Sequence, residues 1–126
     1  MTIAVDFDGV IHSYERGWAD GSIYGDFLPG AMAGLLQLMD RDAVFVHTTR
    51  NPGQVSRWIE RTSGYAIECT TRIHTLPWRR TFWNTRGLLL VTRRKLPAVA
   101  YIDDRAFRFI DWEQTLAELA TIRRES

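Results

Sequence analysis

With 126 residues and 45% hydrophobic content, the chain is sized for one compact domain with a genuine core and leaves little room for a second. Its 16 Lys plus Arg stand against 15 Asp plus Glu, so the molecule as a whole is no polyelectrolyte built to coat nucleic acid, and any basic function is local. Cys69 is the only cysteine, which excludes an intramolecular disulfide and a cysteine-based zinc site made by this chain alone.

The first apolar run, 3–7, is rich in strand formers and stops at Gly9, as expected of a buried strand that delivers Asp6 and Asp8 to its carboxyl end. Those carboxylates also interrupt the run before a secretory h-region forms, and no apolar stretch is long enough to cross a bilayer, so a soluble, cytoplasmic protein with no membrane partner is expected. Residues 10–30 are dense in Gly, Asp, Ser and aromatics, including Tyr14 and Trp18, and read as a flap hairpin overhanging the strand end. Behind Pro29, Leu35, Leu36, Leu38 and Met39 give 31–39 the stripe of an amphipathic helix. Ala43 to His47 repeats the continuous apolar pattern, and Thr48-Thr49-Arg50-Asn51-Pro52 closes it.

Val55, Trp58 and Ile59 then recur at helical spacing up to Gly64, a C-cap, ahead of a short strand over 66–70. Pro77 and Gly87 break 73–94, whose apolar residues fit a helix and an irregular connection equally. Residues 99–102 form a last strand ending in Asp103 and Asp104, and Leu116, Leu119 and Ile122 supply a closing amphipathic helix. Beside Ile67 in a strand-like stretch, Cys69 reads as a small buried hydrophobe rather than a nucleophile. No repeat, low-complexity tract or linker is evident. The alternation of strands and helices implies an α/β fold, a three-layer Rossmann-like parallel sheet with helices on both faces, in a single domain over 1–126.

Three apolar strands each end in polar residues of one kind: Asp6 and Asp8, then Thr48, then Asp103 and Asp104. Ligands of open parallel sheets bind at the carboxyl ends of the strands, where the winding reverses, so the pattern gathers these side chains in one cleft. Four carboxylates there would repel one another without a cation, and hard oxygens lacking His or Cys partners favour Mg²⁺.

In order and context the motifs resemble the haloacid-dehalogenase (HAD) phosphatase superfamily over nearly the whole chain. Ile3-Ala4-Val5-Asp6-Phe7-Asp8-Gly9-Val10 is similar to its first motif and Val44-Phe45-Val46-His47-Thr48 to its second. Lys95, in Arg94-Lys95-Leu96-Pro97, is similar to the basic third motif, and Ala100-Tyr101-Ile102-Asp103-Asp104 to the acidic fourth. The resemblance implies a phosphomonoesterase in which Asp6 is the nucleophile and Asp8 the acid and base. Thr48 and Lys95 would then bind the phosphoryl group. Mg²⁺ would be held by Asp6, Asp8 through its backbone carbonyl, Asp103 and Asp104. Thr49 competes with Thr48 through a register slip of one residue. His12 in the flap and Arg50 after the second strand are candidate substrate contacts, while His47 reads as a packed residue.

Neither gap between the motifs is long enough for a large cap domain, which resembles capless members with a site open to small or macromolecular phosphates, or closed by a neighbouring subunit in an oligomer. Bases and aromatics interleave over 72–95, through Arg72, Trp78, Arg79, Arg80, Phe82, Trp83, Arg86, Arg93, Arg94 and Lys95. Such a run suits a polynucleotide-end phosphatase, and equally a cover of Arg stems and Trp rings over the sheet. A binding module that kept the fold without turnover is a further alternative, whose difficulty is that clustered carboxylates cost stability without a metal, and phosphoryl transfer to an acceptor other than water is a third.

Overall fold

The computed structural model describes residues 1–13, 23–73, 81–103 and 111–125, the last with side chains to 121. Asp104, the interior of the flap with Tyr14 and Trp18, the segment holding His74, Trp78, Arg79 and Arg80, and the Ile122 side chain lie outside the described residues.

Strands β1 (Thr2–Asp6), β2 (Ala43–His47), β3 (Cys69–Thr70), β4 (Leu89–Thr92) and β5 (Ala100–Ile102) form one parallel sheet in the order β3-β4-β2-β1-β5. Helices α1 (Ala31–Arg41), α2 (Pro52–Thr62) and α3 (Trp112–Glu125) pack around it, which is the α/β architecture expected from the strand and helix alternation. The apolar runs of β1, β2 and β4 are continuous because both faces of these strands are covered.

Handedness decides which face each connection covers. From β1 to β2 and on to β3 the chain advances in one direction across the sheet, so right-handed crossovers put α1 and α2 on the same face. There Leu35, Leu38, Val55, Trp58 and Ile59 meet Ile3, Val5, Val46 and Ile102, and α3 joins through Trp112 and Leu119. From β3 back to β4, and from β4 to β5, the direction reverses and the cover moves to the other face. Trp83 and Leu96 close it over Ala4, Phe45 and Leu90.

Among the described residues this second cover is irregular chain rather than helix, and the length of 93–99 explains why. It must pass β2 and β1 to reach β5, three strand spacings or roughly 14 Å, and also travel back along the sheet. So short a segment would advance only about 10 Å as a helix but more than 20 Å when extended.

Local chemistry sets the helix ends. Asn51 caps α2 by accepting the Gln54 N–H at 3.1 Å, with Pro52 in the first turn. Gly64 follows the end of the same helix with φ 63°, the left-handed conformation that terminates helices. In α1 the buried positions Ala31, Gly34, Leu35, Leu38 and Met39 form the expected stripe, and the helix runs two residues beyond the periodic segment.

Gly34 is there because of Trp112. A Cβ at Gly34 would lie 2.4 Å from one carbon of the buried indole, whose Nε1–H donates to the Val10 carbonyl at 3.2 Å and so cannot swing away freely. Gly34→Ala gains up to about 1 kcal/mol of helix propensity. The overpacking cost of about 1–3 kcal/mol outweighs it against a rigid ring. The expected result is a net loss of about 1–2 kcal/mol in urea unfolding with an unchanged m value; a stabilised variant would show that the indole seat is loose.

Candidate active site

The winding direction reverses at β1, which has β2 on one side and β5 on the other. The carboxyl ends of all the strands lie on one edge, and the crevice expected at such a reversal opens above β1. Register pairs Asp6 with His47 and Val5 with Ile102, so Asp103, the residue that follows β5, comes out at the same edge as Asp6. Asp6 is half-buried at the end of β1, and its Oδ1 accepts the Phe7 N–H at 3.1 Å.

Immediately after Asp6 the chain winds into a tight turn. The Phe7 carbonyl accepts the N–H groups of Ile11 and His12 at 2.9 and 3.0 Å, and Gly9 donates to the His12 carbonyl at 2.8 Å. This winding needs φ 87° at Gly9, a conformation that costs a side-chain-bearing residue but not glycine. The turn brings the base of the flap together: Leu28 N–H donates to Ile11 at 2.8 Å, and His12 bridges Phe27 antiparallel.

The turn also directs the Asp8 carboxylate at two basic side chains. Its Oδ2 accepts from Arg50 Nε at 2.8 Å, and its Oδ1 lies 3.3 Å from His12 Nδ1. Arg50 is 2% exposed and His12 is fully buried, so each stands behind Asp8 instead of facing solvent. Their burial has a local cause. The reason is aromatic packing: His12 stacks on Phe7 at 5.3 Å and meets the edges of Tyr24 and Trp58, while Nε2 reaches the Tyr24 carbonyl at 2.6 Å. Since a carbonyl only accepts, Nε2 carries hydrogen, and the Nδ1 contact is a hydrogen bond when the imidazole–carboxyl pair holds one further proton.

Thr48 is buried; its N–H donates to Thr92 O at 3.0 Å, and its Oγ1 accepts the Arg50 N–H at 3.0 Å. The Thr48 O–H is still able to donate in that arrangement. Thr49 is exposed. Lys95 is exposed too, with Nζ 5.6 Å from the centre of the Tyr101 ring. Tyr101 lies two residues before Asp103, so strand alternation puts Lys95 on the same face of the sheet as that acid. Next to Asp6 on β2, His47 is half-buried.

Of the four carboxylates expected around a metal, Asp104 lies outside the described residues and Asp8 is engaged by Arg50 and His12. Among the described residues no group of three or more His, Cys, Asp or Glu side chains is placed to hold a metal ion. The adjacent Asp6 and Asp103, with the Asp8 backbone carbonyl, are all hard oxygen donors. Such a set suits Mg²⁺, which takes one or two protein carboxylates and completes its shell with water and phosphate oxygens.

A repeated sequence pattern runs along this edge. Thr48-Thr49-Arg50, Thr70-Thr71-Arg72 and Thr92-Arg93-Arg94 each stand at the tip of a strand, on the neighbouring β2, β3 and β4. In all three the threonine Oγ1 accepts the N–H of the arginine two residues on, at 3.0, 3.2 and 3.0 Å. The hydroxyl ends each strand by offering the backbone a turn. The signal was legible as a recurring Thr-x-Arg at the ends of apolar runs. The instance at 92–94 is the hardest to see, because β4 lies in the segment whose apolar residues fit a helix and an irregular connection equally.

Cys69 ends up partly buried beside Glu60 and Glu68, and burial first, then those two carboxylates, pushes its thiol up to about 12. Near neutrality it is inert. Native protein at pH 8 is expected to react with iodoacetamide about 10²–10³-fold more slowly than urea-unfolded protein, and equal rates would refute the buried environment. Because the folded value exceeds the unfolded one, folding favours the protonated thiol. Its contribution to stability is complete below about pH 9 and is lost as pH rises towards 12.

No family model and no curated protein matches the chain. A solved structure, "Structure of the conserved protein coded by locus from Bacteroides thetaiotaomicron", matches with a TM-score of 0.63 at 23% identity. The match covers 100% of this chain and 92% of that one. The shared feature is the fold, an α/β architecture around a parallel sheet.

Proposed function

We propose that this protein is a magnesium-dependent phosphomonoesterase of the haloacid-dehalogenase type, with Asp6 as the group that accepts phosphoryl. The observation that supports it most is the pairing of two unlike carboxylates at the reversal point of the sheet. Asp6 sits on the strand end beside Asp103, and two residues on Asp8 is held between Arg50 and His12. Asp6 is placed to attack phosphorus, and Asp8 to exchange a proton that it shares with the His12 imidazole 3.3 Å away.

In the first step an Asp6 carboxylate oxygen attacks phosphorus. The ester P–O bond breaks, Asp8 protonates the departing oxygen, and an aspartyl-phosphate remains. In the second, Asp8 takes a proton from water as that water attacks phosphorus. The Asp6–phosphorus linkage then breaks, releasing inorganic phosphate and regenerating both carboxyl groups. The Thr48 hydroxyl and the Lys95 ammonium stabilise the charge on the transferring oxygens. Arg50 and His12 hold Asp8 in line with the leaving group. Asp6, Asp103 and the Asp8 backbone carbonyl would hold Mg²⁺, with Asp104 a further ligand by the motif resemblance, and the ion would supply positive charge to the phosphoryl oxygens.

The test is inorganic phosphate release, with Mg²⁺ and with EDTA, across sugar phosphates, nucleotides, phosphopeptides and oligonucleotides carrying terminal phosphates. Turnover that needs the metal and disappears in Asp6→Asn is the expected outcome. Release that persists in that variant points to another nucleophile and ends the proposal.

A further inference from the structure

Beyond the reaction itself, the row of strand tips says what else the substrate carries. From the proposed phosphoryl site the edge runs through β2 and β4 to β3, and each tip presents an arginine. Arg50, nearest the site, is consumed by Asp8. Farther out, Arg94 and Arg72 are exposed, and no carboxylate among the described residues pairs with either.

The row ends in a groove of about 300 Å³ between the first turns of α2 and the end of β3, with Arg57, Thr71 and Arg72 on its walls. Arg57 is likewise exposed and makes no ion pair among the described residues. Ser56 also lines the groove. It is 7% exposed, and its buried Oγ has no hydrogen-bond partner among the described residues. The first turn of α2 holds no acidic residue, and the carboxylates of Glu60 and Glu68 lie on the Cys69 side of the groove. Two guanidinium groups and an unsatisfied hydroxyl in one polar groove form a site for an anionic oxygen cluster.

We infer that the substrate carries a second phosphate, bound by Arg57, Arg72 and Ser56 in this groove while the first is processed at Asp6. Counting strand spacings from β1 to β3 puts the two phosphates roughly 14 Å apart. The inference rests on the proposed phosphatase reading for the position of the first phosphate, whereas the groove itself does not depend on turnover. Spaced phosphates occur along an oligonucleotide and at the two ends of a small bisphosphate, and the chemistry recognised is the same.

The experiment measures binding and turnover with three probes: phenyl phosphate, a long-chain alkane-diol bisphosphate, and a fluorescein-labelled trinucleotide bearing a terminal phosphate. The trinucleotide or the bisphosphate is expected to bind about tenfold or more tightly than phenyl phosphate, and whichever does so identifies the source. In the double variant Arg57→Ala/Arg72→Ala that advantage disappears, the slope of log affinity against log salt for the trinucleotide falls by about 0.7, and phenyl phosphate is handled as before. Ser56→Ala, which removes no charge, weakens the favoured probe with the salt slope unchanged.

Equal affinity for all three probes, or an equal loss on all three in the double variant, overturns the inference. If the favoured probe binds through Arg57 and Arg72 but no phosphate is released from anything, the phosphatase reading fails and the groove stands.

Discussion

The Asp6→Asn variant is expected to lose at least about 10⁴-fold in kcat on any phosphate ester the protein hydrolyses, while its melting temperature stays level or rises slightly. The two readouts move apart for a physical reason. Asn is nearly isosteric and its carbonyl oxygen still accepts the Phe7 N–H, so the turn that begins at Phe7 keeps its anchor. It is also uncharged, which removes repulsion against Asp103 on the neighbouring strand. What disappears is the proposed nucleophile, because a neutral amide oxygen does not form an acyl-phosphate. Steady-state phosphate release alongside thermal unfolding checks both halves. Loss of activity together with a fall of many degrees would mean that Asp6 serves the fold, and turnover within tenfold of the parent would place the chemistry elsewhere.

Arg50→Met is expected to act on stability and rate together. The side chain is 2% exposed and its Nε lies 2.8 Å from Asp8, so the variant leaves a carboxylate facing a hydrophobic stem. Breaking a buried pair on one side costs about 3–5 kcal/mol. Asp8 is 21% exposed and regains part of that from water, which leaves about 2–4 kcal/mol. For a domain of this size the melting temperature falls by roughly 8–15 °C. Loss of aim at Asp8 costs a further factor of about 10² in kcat.

Arg50→Lys should recover little, since an ammonium cannot reproduce the sideways Nε contact. A double-mutant cycle with Asp8→Asn should give a coupling energy above about 1.5 kcal/mol. Additive effects of the two substitutions would show that the ion pair organises nothing.

Legibility along the chain followed how strongly each segment's local chemistry pointed one way. The strand over 43–47 and the helix starting behind Pro29 were readable because apolar runs and punctuating residues agreed. β4 was not. Leu89, Leu90 and Val91 sit in an apolar tetrad flanked by Gly87 and basic residues, and so short a run is the same signal in a strand and in a buried helical turn. Only pairing with β2 and β3 makes it a strand. The position of β4 between β2 and β3 likewise has no counterpart in local sequence, because strand order is decided by which faces and edges can be buried together.

At the candidate site the division is similar. Asp6, Asp8, Thr48 and Asp103 announce themselves at the ends of apolar runs, and a parallel sheet necessarily brings such ends to one edge. His12 and Arg50 were visible as residues of interest, yet their place behind Asp8 depends on the turn at Gly9 and on packing against Trp58 from α2. Residue types and their periods therefore determined the α/β class, the strand ends and the acidic pairs, because burial and backbone propensity act over a few residues. Strand order, the closed second face, the engagement of Asp8 by Arg50 and the groove at Arg57 and Arg72 were decided by tertiary structure alone. Each depends on atoms that meet only after crossovers have carried distant segments across the sheet.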